Sequence, residues 1–517
     1  MMLSSFTNWI ALSSVIALFG LAVADVVDKQ KAWLVDTLPG IPEDYKQKMY
    51  SGHLGPSEQL NGDLFFWMFE SANASYTNRS IIWLNGGPGC SSEDGSLMEV
   101  GPLRIGENNT FQLNPGRWDD LGNLLFVDQP KGTGFSYSLD DNFTSDNEKM
   151  AEEFSVFFEK FLTEFPERAN DTWYIAGESY AGQYIPYVAS KIVEKKLAHL
   201  GGLAIGNGWI QPVSHYSTYL NYLVEKGRLD LFSEQGQYLH HSWADCMLAI
   251  DQMESGSGDV EKCENFLYDI MFMVSDKPGK TCMNMYDISL ESSYPLCGMD
   301  WPVDLENLTP YLSKPEVMEA LHVNTTYVKE WEECSNDVAN GYAREGLDSS
   351  ANIIKDLTSK VPVMLFYGEN DFLCNYLSGE DLLKSLEWNG EVGFGNASWF
   401  PWFKTMDYTE NPAGTYIQAR NLTFARIAKA SHMVPYDHPM EMKALISAFL
   451  DNDIQRLPNN PSANLPDPGN GQHSKWLYLT LLPVGLTVLG LSGIYAGRKF
   501  QLFGVKDKSY EALPSSP

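Results

Sequence analysis

Positive charge is scarce in this chain: 36 Lys and Arg stand against 67 Asp and Glu, a formal net charge of −31 at pH 7. That balance argues against nucleic acid and anionic lipid as partners; it would attract cationic ligands and suits an acidic compartment. Cys-x-x-Cys spacing is absent, so no zinc site is expected, and no other metal or cofactor is implied. Internal repeats are absent, which sets aside repeat architectures. Low complexity is confined to "LPNNPSANLPDPGNGQHSK", rich in Pro, Asn and Gly. Seven cysteines are an odd number, which in an oxidising compartment means pairs with one thiol left over.

The ends lack charge where a secretory membrane protein would lack it. "WIALSSVIALFGLAVAD" is short for a membrane span, has no basic flank in "MMLSSFTN", and closes on the small-x-small pattern Ala22-Val23-Ala24. It reads as a signal peptide, residues 1–24. No charged residue interrupts Trp476 to Gly497, a stretch that at ~1.5 Å per residue crosses a ~30 Å hydrocarbon core. Trp476, Tyr478 and Tyr495 would stand at its rims, and Arg498 and Lys499 follow at once, marking 498–517 as cytosolic. Residues 451–475 read as a flexible stalk. The expected topology is a single-pass type I membrane protein of the secretory pathway with a lumenal domain over 25–450. Sequons at Asn73, Asn78, Asn108, Asn142, Asn170, Asn307, Asn324, Asn396 and Asn421 predict a glycoprotein.

Within the lumenal part, "SIIWLN", "NLLFVDQP", "TWYIAG", "GGLAIGN", "VPVMLFYG" and "LTFARIAKA" read as buried strands. Several are followed by Gly-rich turns and helical periodicity, the βα rhythm of a mostly parallel sheet. A helix is expected from a capping box at Ser145 with Glu148, its apolar face running through Phe154, Phe157, Phe158, Phe161 and Leu162. From about 209 to 346 the rhythm stops, and five cysteines fall there; this stretch reads as an inserted, disulfide-containing cap. The predicted fold is an α/β hydrolase with that cap, plus the C-terminal membrane helix.

"DTWYIAGESYAGQYIP" sets Ser179 on a strand-to-helix corner. Such a turn lifts a serine hydroxyl clear of the sheet, although Ala181 stands where the usual second glycine would be and Gly182 comes one place late. A serine nucleophile needs a base and an orienting carboxylate, in the order Ser, Asp, His after successive strands. Asp371 in "ENDFLCN" and His432 in "SHMVPYDHP" occupy those places; Glu369 and His438 are the weaker rivals. The glycine-rich turn after residues 81–84, Asn85-Gly86-Gly87-Pro88-Gly89, supplies a second oxyanion donor. The N–H groups of Gly87 and Tyr180 are the expected pair.

"WLNGGPGCSS", "GESYAGQYIP", "GENDFLCN" and "ASHMVP" resemble the four signature blocks of the serine carboxypeptidases, in order and across the lumenal domain. With the anchor, the chain is most similar to the membrane-bound fungal branch that processes pheromone precursors. The resemblance implies that Glu178, Asn85, Gly86 and Glu99 bind the substrate's terminal carboxylate. Two neighbouring carboxyls retain a proton, and the protonated one can donate to that carboxylate at acidic pH. It implies disulfides Cys90–Cys334, Cys246–Cys263 and Cys282–Cys297, with Cys374 as the free thiol. It puts Asp94 and Met433 beside the pocket for the departing residue, where a carboxylate would select Lys or Arg; Asp94 as a plain helix cap is the alternative. The implied partners are peptide and protein C-termini with basic last residues, trimmed after endoproteolysis in the trans-Golgi network. An acyltransferase or esterase on the same fold, or a silent binding glycoprotein, are the rival readings.

Overall fold

Six apolar runs form the parallel centre of one large sheet. The computed structural model of the chain describes residues 30–458 apart from 44, 56–60, 107–109, 141–142, 254–260, 276, 278, 343–347 and 405–410. The strands on the main path are β1 (Met49–Leu54), β2 (Gly62–Phe69), β3 (Arg79–Leu84), β4 (Asn123–Val127), β5 (Thr172–Glu178), β6 (His199–Gly206), β7 (Val363–Gly368), β8 (Phe400–Trp402), β9 (Gly414–Ala419) and β10 (Leu422–Ile427). Their spatial order is β1-β2-β4-β3-β5-β6-β7-β10-β9-β8, with Tyr137–Ser138 pairing β2 as an eleventh strand. The six from β4 to β10 are mutually parallel; β1, β2, β8 and β9 add antiparallel flanks.

Both faces are covered, which is why the central strands are apolar throughout rather than alternating. Ile82, Leu84, Leu125, Val127, Ile175 and Leu203 point to one side. There they meet Phe154, Phe157, Phe158 and Phe161 of α1 (Asn147–Glu164) and Tyr184, Ile185 and Val188 of α2 (Ala181–Lys195). Ile81, Trp83, Leu124, Phe126, Ala176 and Met364 point to the other, against Met442, Leu445 and Ile446 of a late helix, Pro439–Leu450. This is the period-2 alternation of a pleated strand carried across a whole sheet.

Two boundaries differ from the sequence expectation. Helix α1 is capped by Asp146, not Ser145: the Asp146 carboxylate accepts the N–H of Lys149 at 2.7 Å. An anionic acceptor at a helix N-terminus satisfies an orphan donor and the helix dipole together. The packed domain also runs past 450, because Ile454 and Leu457 are buried and the carbonyl of Pro458 accepts the N–H of Phe403. Residues 451–458, expected as the start of a stalk, thus belong to the packed domain. The signal peptide, the rest of the stalk, the membrane segment, the tail, Asn108 and Asn142 lie outside the described residues. No described helix is long and apolar enough to cross a membrane.

Between β6 and β7 no described strand joins the main sheet. The chain instead forms α3 (Pro212–Glu225), α4 (Glu234–Met253), α5 (Glu261–Met273) and a small hairpin, Thr281–Met283 with Glu291–Ser293. Cys246–Cys263 staples α4 to α5, and Cys282–Cys297 closes the hairpin. Helix α3 is stitched to the loop after β7: the hydroxyls of Tyr219 and Tyr222 donate to the carbonyls of Leu373 and Glu369.

Candidate active site

Polar side chains converge where β3, β5, β6, β7 and β10 end, at the carboxyl edge of the sheet, the usual place for a site in a parallel α/β fold. Ser179 follows β5 directly and has a φ of 62°, in the left-handed region that non-glycine residues seldom adopt. Its N–H donates to Gly206 (3.0 Å), and its carbonyl accepts from Gly182 (2.9 Å) and Trp209 (2.8 Å). The late glycine of the corner has a reason. A Cβ on Gly182 would lie 2.8 Å from the Trp209 nitrogen, so the close approach occurs at 182 and Ala181 is tolerated.

Asp371 and His432 meet on the loops after β7 and β10. The ring Nδ1 of His432 lies 2.7 Å from Asp371 Oδ2; Asp371 is fully buried and His432 is 5% exposed. The same Oδ2 accepts from Asn207 Nδ2 at 2.6 Å, and Oδ1 accepts the N–H of Cys374 at 3.2 Å. Glu369, the rival carboxylate, is engaged by Arg426 at 3.1 Å instead. Cys374 is buried, and that burial pushes its thiol well above the usual range. Donor atoms of Asp371, Cys374 and His432 lie within 4.8 Å of one another. The Asp–His hydrogen bond already uses two of them, and a thiol held protonated is a poor metal ligand.

The turn after β3 packs against the serine corner. A Cβ on Gly86 would fall 2.4 Å from the Tyr180 nitrogen and 2.7 Å from the Ser179 Cβ, so only glycine lets the two loops touch. Gly87 follows with a φ of 106°. Three partners hold this turn. Tyr184 accepts the N–H of Gly89 (3.2 Å), Cys90 is bonded to Cys334, and Asp128 accepts from the Ser91 hydroxyl (2.6 Å) and the Ser92 N–H (2.9 Å).

Beside the corner, Asn85 Oδ1 accepts from Trp83 Nε1 (2.7 Å) and the Gly95 N–H (3.1 Å). That leaves its Nδ2 for Glu178 (3.3 Å) and Glu99 (3.5 Å). Burial raises Glu99 to about 7, although hydrogen bonds from Glu178 and Asn85 pull it down. Glu178 is pushed well above the carboxylate range by burial and then by the Glu99 charge. The interaction between the two carboxyls raises Glu178 and lowers Glu99, and one oxygen of each, Oε2, has no internal partner.

Asp94 is 6% exposed and makes no side-chain cap bond to the short helix Gly95–Glu99. The helix-cap alternative therefore lacks its hydrogen bond. Met433 follows His432 and is buried. Sequence reasoning missed Asn207, Asp128 and Tyr184, which position the site from behind it. A polar residue directly after a buried strand was the available signal for Asn207 and Asp128. Tyr184 gave none, because a tyrosine in an apolar helix reads as core.

The sequons fall in different settings. Asn78, Asn170, Asn396 and Asn421 are exposed, whereas Asn324 is half-buried and donates to the Tyr137 hydroxyl at 3.3 Å. Asn73 caps a 3-10 turn through Ser75, and Asn307 is half-buried.

Residues 39–452 match the serine carboxypeptidase family. The pheromone-processing carboxypeptidase kex1 of Schizosaccharomyces pombe is 65% identical over 485 residues, covering 94% of each chain. Its namesake from Schizosaccharomyces japonicus is 51% identical over 446 residues, covering 84% of each. A crystal structure of Kex1(delta)p, a prohormone-processing carboxypeptidase from Saccharomyces cerevisiae, matches with a TM-score of 0.75 at 34% identity. That match covers 82% of this chain and 96% of the other.

Proposed function

The chain belongs to the serine carboxypeptidase family, and from that premise we propose that it trims C-terminal Lys and Arg from peptides and pro-protein fragments in an acidic lumen. The enzyme class is that of its family, a serine-type carboxypeptidase. The pheromone-processing and prohormone-processing names of its relatives support the substrate class.

In this reading the substrate's terminal carboxylate accepts hydrogen bonds from Asn85 Nδ2, the Gly86 N–H and the proton held by Glu99 and Glu178. Ser179 Oγ then attacks the last peptide carbonyl. His432 Nε2 takes the hydroxyl proton, since Nδ1 is engaged by Asp371. The N–H groups of Gly87 and Tyr180 carry the developing oxyanion. Collapse expels the amino acid, which leaves with the proton from His432. Water brought in through the same base then hydrolyses the acyl-enzyme. Asp94 and Met433 border the pocket of the leaving residue, and a carboxylate there favours Lys or Arg by roughly 10- to 150-fold. Residues 476–497 anchor the domain, and the trans-Golgi network is its working compartment.

The observation that carries the proposal is the buried Glu99–Glu178 carboxyl pair, both members raised and both reached by Asn85 Nδ2, next to Ser179. An esterase has no need of it, and a silent scaffold needs neither it nor the Asp–His pair. The test is to incubate the purified enzyme at pH 5 with a peptide ending in -Leu-Lys-Arg, as free acid and as amide, and follow the products by mass. Loss of Arg and then Lys, a pause at Leu, and an uncut amide are expected. Equal cleavage of acid and amide would overturn the carboxypeptidase site. Equal trimming through Leu would overturn the basic preference.

A further inference from the structure

The tip of the cap hairpin, residues 284–290, is bonded to both loops that carry the Asp371–His432 pair. The carbonyl of Met285 accepts the N–H groups of Phe372 (3.3 Å) and Leu373 (3.0 Å), and the Ile288 N–H donates to the carbonyl of Asn370 (2.9 Å). The residues on either side of Asp371 are thus held. The next carbonyl of the tip, that of Tyr286, accepts the N–H of His432 itself at 2.9 Å, and the Tyr286 and His432 rings lie 5.1 Å apart. The bases of the two loops are tied to each other directly. There the Glu369 N–H donates to Ile427 (3.0 Å) and the Asn370 N–H to Ala430 (2.7 Å). At Asp371 and His432 themselves, the tip makes the connection.

One buried side chain shapes this tip. Asn284 is 1% exposed; its Oδ1 accepts the N–H groups of Tyr286 (2.9 Å) and Asp287 (3.1 Å), and its Nδ2 donates to the Ser292 hydroxyl (3.1 Å). A Cβ on Gly298 would fall 2.5 Å from that Oδ1, so a glycine there leaves room for the amide. An amide oxygen that binds the backbone two and three residues on closes a tight Asx turn. In a solvent-facing hairpin such a turn would serve the hairpin alone. Here it aims the carbonyls of Met285 and Tyr286 at the two loops. We propose that Asn284 is a positioning residue for the reaction: through Met285 and Tyr286 it fixes Asp371 and His432 relative to each other. This rests on the reading of Ser179, Asp371 and His432 as the triad. His432 must face Ser179 while its Nδ1 stays on Asp371, and a loosened tip lets each loop move without the other. Asn284 acts on the bond-making step rather than on substrate binding.

The experiment measures kcat and KM on one peptide for parent, Asn284→Ala, Asn284→Ser and Asn284→Asp, per active site titrated with diisopropyl fluorophosphate. The rate at which that reagent inactivates each protein reads the activation of Ser179 without a peptide, and the thermal midpoint reads the fold. Asn284→Asp keeps the acceptor, and the Ser292 hydroxyl can turn to donate to it; Asn284→Ser accepts more weakly. Asn284→Ala should lose about 10- to 100-fold in kcat with KM within about threefold, and be inactivated more slowly by a similar factor. Asn284→Ser should lose less, and Asn284→Asp should stay within about fivefold of the parent. A lower thermal midpoint in Asn284→Ala, with kcat and the inactivation rate equal to the parent's, would make Asn284 a turn residue only and overturn the inference. A loss confined to KM would overturn it too. Where Asn284→Ala does not fold, equal kcat values for Asn284→Ser and Asn284→Asp would overturn it. Turnover and inactivation unchanged in Ser179→Ala would instead overturn the triad reading, and this inference with it.

Discussion

Asn85 has one amide with two ends, and the fold spends the oxygen internally. With Trp83 Nε1 and the Gly95 N–H both donating to Oδ1, the amide cannot flip, and Nδ2 is committed to Glu99 and Glu178. A carboxyl raised to about 7 loses its proton as pH rises past that value, and in the proposed function the site then loses a donor for the substrate's terminus. Replacing both Glu99 and Glu178 with Gln removes that titration. Activity should drop most at acidic pH, where the native pair works best, and the remaining profile should no longer fall toward pH 7–8. A double variant whose pH–rate curve superimposes on the parent's would exclude the shared proton. At this scale Ser179, Asp371 and His432 were legible because each sits in a motif directly after an apolar strand. The hold of Asn207 on Asp371 was not, since it joins loops 164 residues apart in the sequence.

At the scale of elements, the parallel strands were readable because burial on both faces leaves unbroken apolar runs such as "SIIWLN". Strand β2, "GDLFFWMF", is equally buried but antiparallel, with no helix after it to complete a βα unit, and it escaped notice. The cap showed itself as a break in rhythm, while its tyrosine anchors to the loop after β7 are tertiary facts no periodicity carries. The Cys90–Cys334 bond joins the glycine-rich turn after β3 to the last part of the cap segment. Replacing both cysteines with Ala should cost about 2–5 kcal/mol of stability. It should also lower kcat/KM, because the turn that places Gly86 against Ser179 loses a tether. Chemical denaturation and peptide kinetics on the double variant check this. Stability lost with kcat/KM unchanged would show that Tyr184 and Asp128 hold the turn unaided.

Over the whole molecule, the acidic balance is partly internal. Asp119 and Asp128 are raised to about 6, Glu99 and Glu333 to about 7, and Glu93, Asp94 and Glu178 upward, in each case mainly by burial. Between an unfolded value near 4 and these folded values, the native state binds more protons than the unfolded chain. Stability is therefore greatest at acidic pH and falls as pH rises from about 4 to 7. Glu99 alone corresponds to on the order of 3 kcal/mol across that window. Thermal unfolding of the described domain should have a lower midpoint at pH 7.5 than at pH 5, and a midpoint that rises with pH would contradict this. The net charge of −31 was readable from composition. That several acids lie inside, around one pocket, could be learned only from the fold.

The most direct test compares kcat/KM for one peptide as free acid and as C-terminal amide from pH 4.5 to 8, with Ser179→Ala as the blank. The account predicts that the acid is favoured by about 100-fold near pH 5, that the advantage shrinks as pH passes about 7, and that Ser179→Ala is silent on both. A ratio near one at every pH, or full turnover by Ser179→Ala, would contradict it.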